Sequence, residues 1–305
     1  MNILIRKIIA TIVIVCSGIT LSLAQDVDLF KQMDEQNKAD QKEKTDIVTS
    51  TFKTTRIVDG QSIENVGAGI LDVKILHRFG MLNQGPYNFM GLDQASMRIG
   101  VDYGVTKRLM VGIGRSTFQK QFDGFAKYRI FNQTTGKKNF PIAVSYVGTL
   151  TFISDTNLIP KSHHFSDRIA YVHQIIIARK FNDFISVQLV PTLVHYNIVD
   201  SAKDNNDLFS LGIGSRIRVS KRVNLTGEYF YQFNKLSGNY YNSFSMGVDI
   251  ETGGHVFQFH VTNSTGMTES TFINQTSGRW GNGDIHFGFN IARVFTVKKP
   301  KEIKS

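Results

Sequence analysis

The segment QASMRIGVDYGVTKRLMVGIG, residues 94–114, alternates apolar side chains with charged residues or glycine. One apolar row runs from Met97 to Val105, and a second begins at Leu109 after the polar pair Thr106-Lys107. A period of two places successive side chains on opposite faces of a β-strand. The segment therefore predicts two antiparallel strands joined by a tight turn, with one apolar and one polar face.

Ten further segments repeat this pattern, which makes twelve predicted strands. They are 69–78, 124–131, 141–153, 167–179, 184–196, 208–219, 223–233, 242–251, 255–263 and 284–295. Most connections alternate between tight turns, as at 182–183 and 253–254, and long loops, as at 154–166 and 264–283. The brief connection 119–123 and the long one 132–140 break the alternation. Alternately short and long connections are typical of outer-membrane β-barrels.

These observations predict an all-β protein whose residues 69–296 form a closed antiparallel transmembrane β-barrel of about twelve strands. Closure matters because an open sheet edge would leave backbone donors and acceptors without hydrogen-bond partners in lipid. The mean hydropathy of −0.13 and the lack of a long apolar run after the N-terminus argue against spanning helices. In bacterial barrels the short turns face the periplasm, so an even strand number predicts a cell outer-membrane location with both termini periplasmic.

The ends of the chain differ from the predicted barrel. Residues 1–24 combine Arg6-Lys7, an apolar run and the small-residue ending Ser22-Leu23-Ala24, which predicts a cleaved signal peptide that contains Cys16, the single cysteine. Residues 25–46 predict a polar periplasmic linker, and 297–305 a basic periplasmic tail. Residues 47–68 look extended, with a turn at Asp59-Gly60, and are predicted to lie under or inside the barrel.

If the apolar rows face lipid, the polar rows face the lumen. The predicted lumen-lining residues are Asp72, Lys74, Arg78, Arg98, Asp102, Arg108, Arg216, Arg218, Glu228, Asp249, Glu251, Gln258, His260 and His286. Such a mixed-charge interior has a structural interpretation, in which arginines and carboxylates pair, and a functional one, in which they line a polar path. Twelve strands are compatible with a narrow pore or a plugged lumen.

The sequence predicts no catalytic residue, metal site or cofactor. His260 and His286 lie on consecutive strands and on the same face, but two imidazoles without a third ligand make a weak metal site. Glycine pairs such as Gly112 and Gly114 lack the strand-turn-helix context of a nucleotide site. The loop pair His163-His164 gives an alternative hypothesis, an outer-leaflet hydrolase.

The charge balance limits the kinds of molecule that the chain is expected to bind. The chain has 35 basic and 25 acidic residues, a net charge of +10, without a block of interleaved basic and aromatic residues. Nucleic-acid binding is therefore not expected. The modest excess is compatible with lipid phosphates and with a small polar or anionic solute. No partner protein is indicated, and we expect a monomer.

Several segments resemble a known family. They are Gly91-Leu92-Asp93-Gln94-Ala95, His77-Arg78-Phe79-Gly80, Gly253-Gly254-His255-Val256-Phe257 and the stretch 283–291. Together they resemble the membrane-bound β-barrel domain family of Gram-negative bacteria, over roughly residues 50–296. The resemblance implies a barrel and its location, and it brings no catalytic residue, cofactor or substrate.

Our main hypothesis is a porin-like outer-membrane barrel that acts as a narrow pore or transporter for small polar solutes, or as a scaffold. The hydrolase is one alternative. The other is a soluble periplasmic ligand-binding β protein, in which the apolar rows would point inward and Arg98 and Asp102 outward.

Overall fold

The computed structural model describes residues 45–158 and 164–298. Two compact units are present. The small unit, residues 45–47 and 134–139, contains β1 (Thr45–Ile47) paired antiparallel with β6 (Thr134–Gly136). The large unit, residues 48–133 and 140–298, is a barrel. The predicted signal peptide and residues 25–44 lie outside the described residues.

Twelve antiparallel strands close the barrel, which confirms the predicted fold. They are β2 (Ile70–Met81), β3 (Ala95–Gly104), β4 (Leu109–Ser116), β5 (Gln121–Phe131), β7 (Ala143–Ile153), β8 (Ile169–Lys180), β9 (Ile185–Tyr196), β10 (Asp207–Arg218), β11 (Val223–Gln232), β12 (Ser243–Thr252), β13 (His255–Thr262) and β14 (His286–Thr296). Each strand pairs with its neighbours along the chain, apart from the short β6, and β14 closes the sheet against β2.

The connections define two ends of the barrel. At the turn end lie the tight turns, the start of β2 and the end of β14, and at the loop end lie the longer connections 82–94, 154–168, 197–206, 233–242 and 263–285. The long connection 132–142, which breaks the alternation, contains β6. The brief connection 117–120 is a single 3₁₀ turn at the loop end.

The two faces of the sheet have the polarity predicted for a membrane barrel. Apolar side chains such as Ile99, Ile113 and Phe259 are exposed on the outer face, whereas Arg78 and Arg98 are fully buried inside. A soluble barrel requires the opposite arrangement, so that alternative is wrong. None of the helices within the described residues is long and apolar enough to cross a membrane.

The lumen is occupied by two inserts. The plug segment, residues 48–68, enters from the turn end and folds into a hairpin in which the Ile57 N–H donates to the Gly60 carbonyl at 2.9 Å. The inserted loop, residues 263–285, enters from the loop end and carries α1 (Glu269–Asn274), all six residues of which are buried. Most residues of the plug segment are buried.

The apolar core lies between these inserts and the inner wall. Ile57, Val58 and Ile63 of the plug segment cluster with wall residues such as Val147 and Ile176. Nearer the loop end, Phe272 of α1 packs edge-on against Phe230, with ring centroids 5.1 Å apart. Burial of these side chains favours the inserted state, because each contributes roughly 1.5–3 kcal/mol relative to exposure.

Placing a charge on the outer face tests the membrane orientation. Ile113, in the middle of β4, is 70% exposed, and we expect I113R to destabilise the vesicle-inserted barrel by roughly 2–4 kcal/mol, because arginine near the bilayer midplane is costly. V219R, directly after β10 at the turn end, is the matched control and should cost about 0–1 kcal/mol. Urea unfolding in phospholipid vesicles measures both. Equal losses of unfolding free energy in I113R and V219R would contradict the predicted orientation of the outer face towards lipid.

Candidate functional site: the occupied lumen

Glu228 binds the tip of the plug hairpin. Strand β11 directs this carboxylate inward, where it accepts hydrogen bonds from three consecutive backbone N–H groups, those of Val58 at 3.4 Å, Asp59 at 2.7 Å and Gly60 at 3.1 Å. Successive amides that converge in this way form an anion-binding concavity. A Cβ added at Gly60 would lie 3.1 Å from the Glu228 carboxylate and 3.0 Å from the Phe230 ring, so a larger residue there would require these side chains to shift.

Three further strands on one side of β11 hold the same tip. The Asp59 carboxylate forms a buried ion pair with Arg78 of β2. Asn290 of β14 donates to the Val58 carbonyl at 2.9 Å, and Gln258 of β13 donates to the Ile57 carbonyl at 2.7 Å. The tip is therefore fixed by charged and polar groups from four different strands.

The return arm of the hairpin is bound by β5 and β9. The Lys127 ammonium group, fully buried, donates to the carbonyls of Glu64 at 2.6 Å and Ser62 at 3.1 Å. Gln188 donates to the Gln61 carbonyl at 2.8 Å and accepts from the Ile63 N–H at 3.1 Å. These bonds saturate backbone groups of the plug segment that water would otherwise have to reach.

Weaker contacts hold the plug segment near the turn end. Lys53 and Glu251 form a partly exposed ion pair at 2.7 Å. Asn65 donates to the Arg108 carbonyl at 3.0 Å. The Arg108 side chain, predicted to line the lumen, is exposed in the turn before β4, because the strand begins only at Leu109. Glu251 likewise lies at the rim and is half-exposed.

A buried ion pair joins the two inserts. The Arg56 guanidinium of the plug segment lies 3.0 Å from the Glu269 carboxylate of α1, and both side chains are almost fully buried. Arg56 also donates to the Asp59 carbonyl at 2.6 Å. On the other side of α1, the Tyr196 hydroxyl donates to the Ser270 carbonyl at 2.6 Å. The inserts therefore contact each other and the wall.

Further ion pairs lie within the wall itself. Arg98 pairs with Asp123, with its Nε 2.8 Å from a carboxylate oxygen. Lys74 lies 2.8 Å from Asp72 and also pairs with Asp102. These contacts fit the structural interpretation of the mixed-charge interior, whereas Arg78 and Glu228 are directed at the plug segment. The wall thus contains charged groups that pair with each other and charged groups that bind the plug segment.

Several buried nitrogen atoms have no protein partner among the described residues. These atoms include Nε and Nη2 of Arg56, Nε and Nη1 of Arg78, Nη1 of Arg98 and both ring nitrogens of His260. The interior therefore has hydrogen-bonding capacity that the described protein groups do not use.

The remaining predicted lining residues occupy varied positions. Asp249 is buried and accepts from Gln258 at 2.9 Å. Arg216 is buried 3.4 Å from the Ser186 hydroxyl, and Arg218 is half-buried at the end of β10. These groups lie towards the turn end.

His286 of the predicted histidine pair is held by two hydrogen bonds. Both ring nitrogens of His286 contact protein oxygens, the Phe79 carbonyl at 2.8 Å and the Thr265 hydroxyl at 3.1 Å. Among residues 45–158 and 164–298, no group of three or more His, Cys, Asp or Glu side chains has the arrangement of a metal site.

The loop residues of the hydrolase hypothesis have structural roles where they are described. His163 lies outside the described residues. The His164 N–H donates to the Asp167 carboxylate at 2.9 Å and so caps a 3₁₀ turn. Asp155 pairs with Lys120 at 2.9 Å, and this hydrogen bond lowers the pKa of the Asp155 carboxyl.

Sequence reasoning missed several residues that bind the plug segment. Lys127, Gln188 and Asn290 all follow the inward parity of their strands, which is a signal that the alternation already contains. For Asp59, the sequence pattern predicts only a turn. Glu269 lies in a loop without any periodicity, so no sequence pattern points to it.

The family model described as Membrane bound beta barrel domain (DUF5777) matches residues 52–295. The chain belongs to this family. The match begins within the plug segment and ends on β14, so the family domain includes the plug tip as well as the barrel. A comparison with curated protein sequences finds no match.

Comparison with solved structures finds porins and channels that are similar to this chain over most of its length. The NanC porin is 9% identical, with 75% of this chain and 100% of that chain covered and a TM-score of 0.47. The KdgM porin is 10% identical, with coverage of 74% and 99% and a TM-score of 0.45. The COG4313 outer membrane channel from Pseudomonas putida F1 is 13% identical, with coverage of 78% and 100% and a TM-score of 0.42.

Proposed function

We propose that this membrane β-barrel is a gated channel for small polar solutes in the outer membrane, closed in the described conformation by the plug segment and α1. Its turn end faces the periplasm and its loop end faces outside. The observation that carries the proposal is the polar inner wall behind a separate insert: Arg78, Lys127 and Glu228 bind the plug segment and would line an aqueous path once it withdraws.

A permanent filling of the lumen would not need these charges. Burying an ion pair costs desolvation energy that its attraction often fails to recover, and apolar residues of similar volume are frequently as stable or more so. A wall that alternates between a plugged and a wetted state does need them, because only polar side chains can exchange the plug segment for water. The charged wall therefore favours a channel over an inert scaffold.

The plug segment is attached in a way that suits withdrawal. It joins β2 at Gly69, which has a φ of +78° that favours glycine, and it leaves the lumen at the turn end. Its polar contacts are hydrogen bonds and ion pairs that water can replace, and its apolar contacts in the core involve five of its side chains. Withdrawal towards the periplasm would not require any barrel strand to separate from its neighbours.

Locking the plug segment to the wall tests the channel directly. The Thr55 hydroxyl donates to the Asp102 carboxylate at 3.2 Å, so T55C/D102C places two thiols on facing side chains across the boundary between insert and wall. In planar bilayers we expect the wild type to show brief openings. The oxidised variant should show none, and reduction should restore them.

The control is a cross-link that leaves the plug segment free. Ser245 and Thr262 lie opposite each other on β12 and β13, with their hydroxyls 2.8 Å apart, so oxidised S245C/T262C should conduct like the wild type. The single-cysteine variants control for loss of Thr55 or Asp102. A tight electrical seal at every voltage, before and after reduction, would favour the scaffold instead.

A further inference from the structure

A cavity lies at the loop end and is lined in part by α1. Its volume is about 200 Å³, and its lining comes from five loop-end connections and the strands beside them. Ser270 of α1 and Tyr196 of β9 contribute to it, together with Gln119, Arg168, Asp204 and Tyr240. Drug-sized ligands occupy pockets of roughly 300–1,000 Å³, so a molecule that fits here is about as large as one sugar ring.

The described part of the cavity lining carries more acidic than basic side chains. It includes the carboxylates of Asp167, Asp200 and Asp204 and the guanidinium of Arg168. The Arg168 guanidinium also stacks over the Phe152 ring, 4.9 Å from its centroid. This excess of acidic side chains among the described lining residues disfavours an anionic ligand.

The uncharged lining combines hydrogen-bonding groups with ring and aliphatic surface. Gln119 has a buried Oε1 without a protein partner in the described chain, and its amide nitrogen donates to Gln275 at 2.9 Å. Burial raises the pKa of the Tyr240 hydroxyl, which keeps it a donor at neutral pH. Leu236 and Val199 supply apolar surface beside these groups. Carboxylates, amides and tyrosines around one small space suit a ligand with many hydroxyls and apolar C–H faces.

The connection that carries Gln119 has an unusual backbone. Gln119 and the next residue, Lys120, both have positive φ values, +54° and +46°, within the brief connection between β4 and β5. Such conformations are unfavourable for residues other than glycine and persist only where the surroundings impose them.

We propose that this loop-end cavity binds a neutral monosaccharide-sized polyol and is the entry site for the solute of the channel. The identity of the bound molecule as the transported solute rests on the proposed function, whereas the binding itself does not. Because Ser270 lines the cavity and its neighbour Glu269 pairs with Arg56, a bound sugar lies one residue from the contact between the two inserts.

Titration calorimetry on the purified barrel in detergent tests the binding without any conductance measurement. Glucose and galactose are the neutral probes, and glucuronate and galacturonate are their anionic counterparts. We expect saturable binding of a neutral sugar and at least about tenfold weaker binding of its uronate. Binding of neither neutral sugar, or equal or tighter binding of a uronate, would overturn the inference.

Two substitutions at the cavity and two matched controls locate the site. D204N and Y240F should each weaken sugar binding by about tenfold, through loss of one hydrogen bond to a charged group or of one donor. D93N and Y87F change exposed residues of the connection 82–94 at the same end of the barrel and should bind like the wild type. Cavity variants that match these controls would place the sugar elsewhere and overturn the site.

The outcome also separates this inference from the proposed function. Sugar binding in a barrel that never conducts would retain the cavity site and remove the channel. Conductance that responds to the T55C/D102C lock, without sugar binding, would retain the channel and remove the cavity site.

Discussion

Replacing Glu228 with alanine should open the barrel. The carboxylate accepts three backbone N–H groups at the plug tip, and hydrogen bonds to charged groups are worth roughly 1.5–3 kcal/mol each. Loss of only about 1.4 kcal/mol of this binding raises the population of the withdrawn state tenfold. We therefore expect E228A to raise the mean conductance per barrel in planar bilayers by about tenfold or more.

E251A is the matched control for this experiment. Glu251 also pairs with the plug segment, through Lys53, but at the partly exposed rim, where such ion pairs contribute about 0–1 kcal/mol. Its conductance should therefore differ little from the wild type. Heat-dependent mobility in electrophoresis verifies that both variants retain the closed barrel. A folded E228A barrel with wild-type conductance would show that Glu228 does not control the opening.

Breaking the ion pair between the inserts should strongly destabilise the closed state. E269L leaves the Arg56 guanidinium buried without its carboxylate, which typically costs about 3–5 kcal/mol. R56M/E269L removes both charges and should recover most of that loss, because apolar residues of similar size replace buried ion pairs well. Urea unfolding of the two single variants and the double variant in vesicles gives the coupling energy.

The expectation would be contradicted if the changes in unfolding free energy of E269L and R56M simply add up in R56M/E269L. If E269L and R56M destabilise independently, then Arg56 and Glu269 contribute separately and the inserts are not coupled through them. Conductance of the same variants adds a second measurement, since E269L should also increase opening while R56M/E269L should not. Coupling in the unfolding data without this difference in conductance would confine the ion pair to a structural role.

The alternation in the sequence was sufficient for the barrel and for much of its wall. Arg78, Arg98 and Glu228 were predicted to point inward because strand parity fixes the face of every side chain once one face meets lipid. Arg108 was misplaced because parity holds only within a strand, and this residue belongs to the preceding turn. Lys127 obeyed the same parity, although its partners, carbonyls of the plug segment, could not be read from the sequence.

The sequence by itself determined the strand number, the closed sheet and the face that meets lipid, since these follow from a local period of two. The tertiary structure alone decided what fills the lumen. Residues 48–68 and α1 carry no periodic pattern, and their positions depend on contacts between residues far apart in the chain, such as Asp59 with Arg78 and Arg56 with Glu269. Long-range charge pairing of this kind leaves no local trace, because either partner could equally face water or another strand.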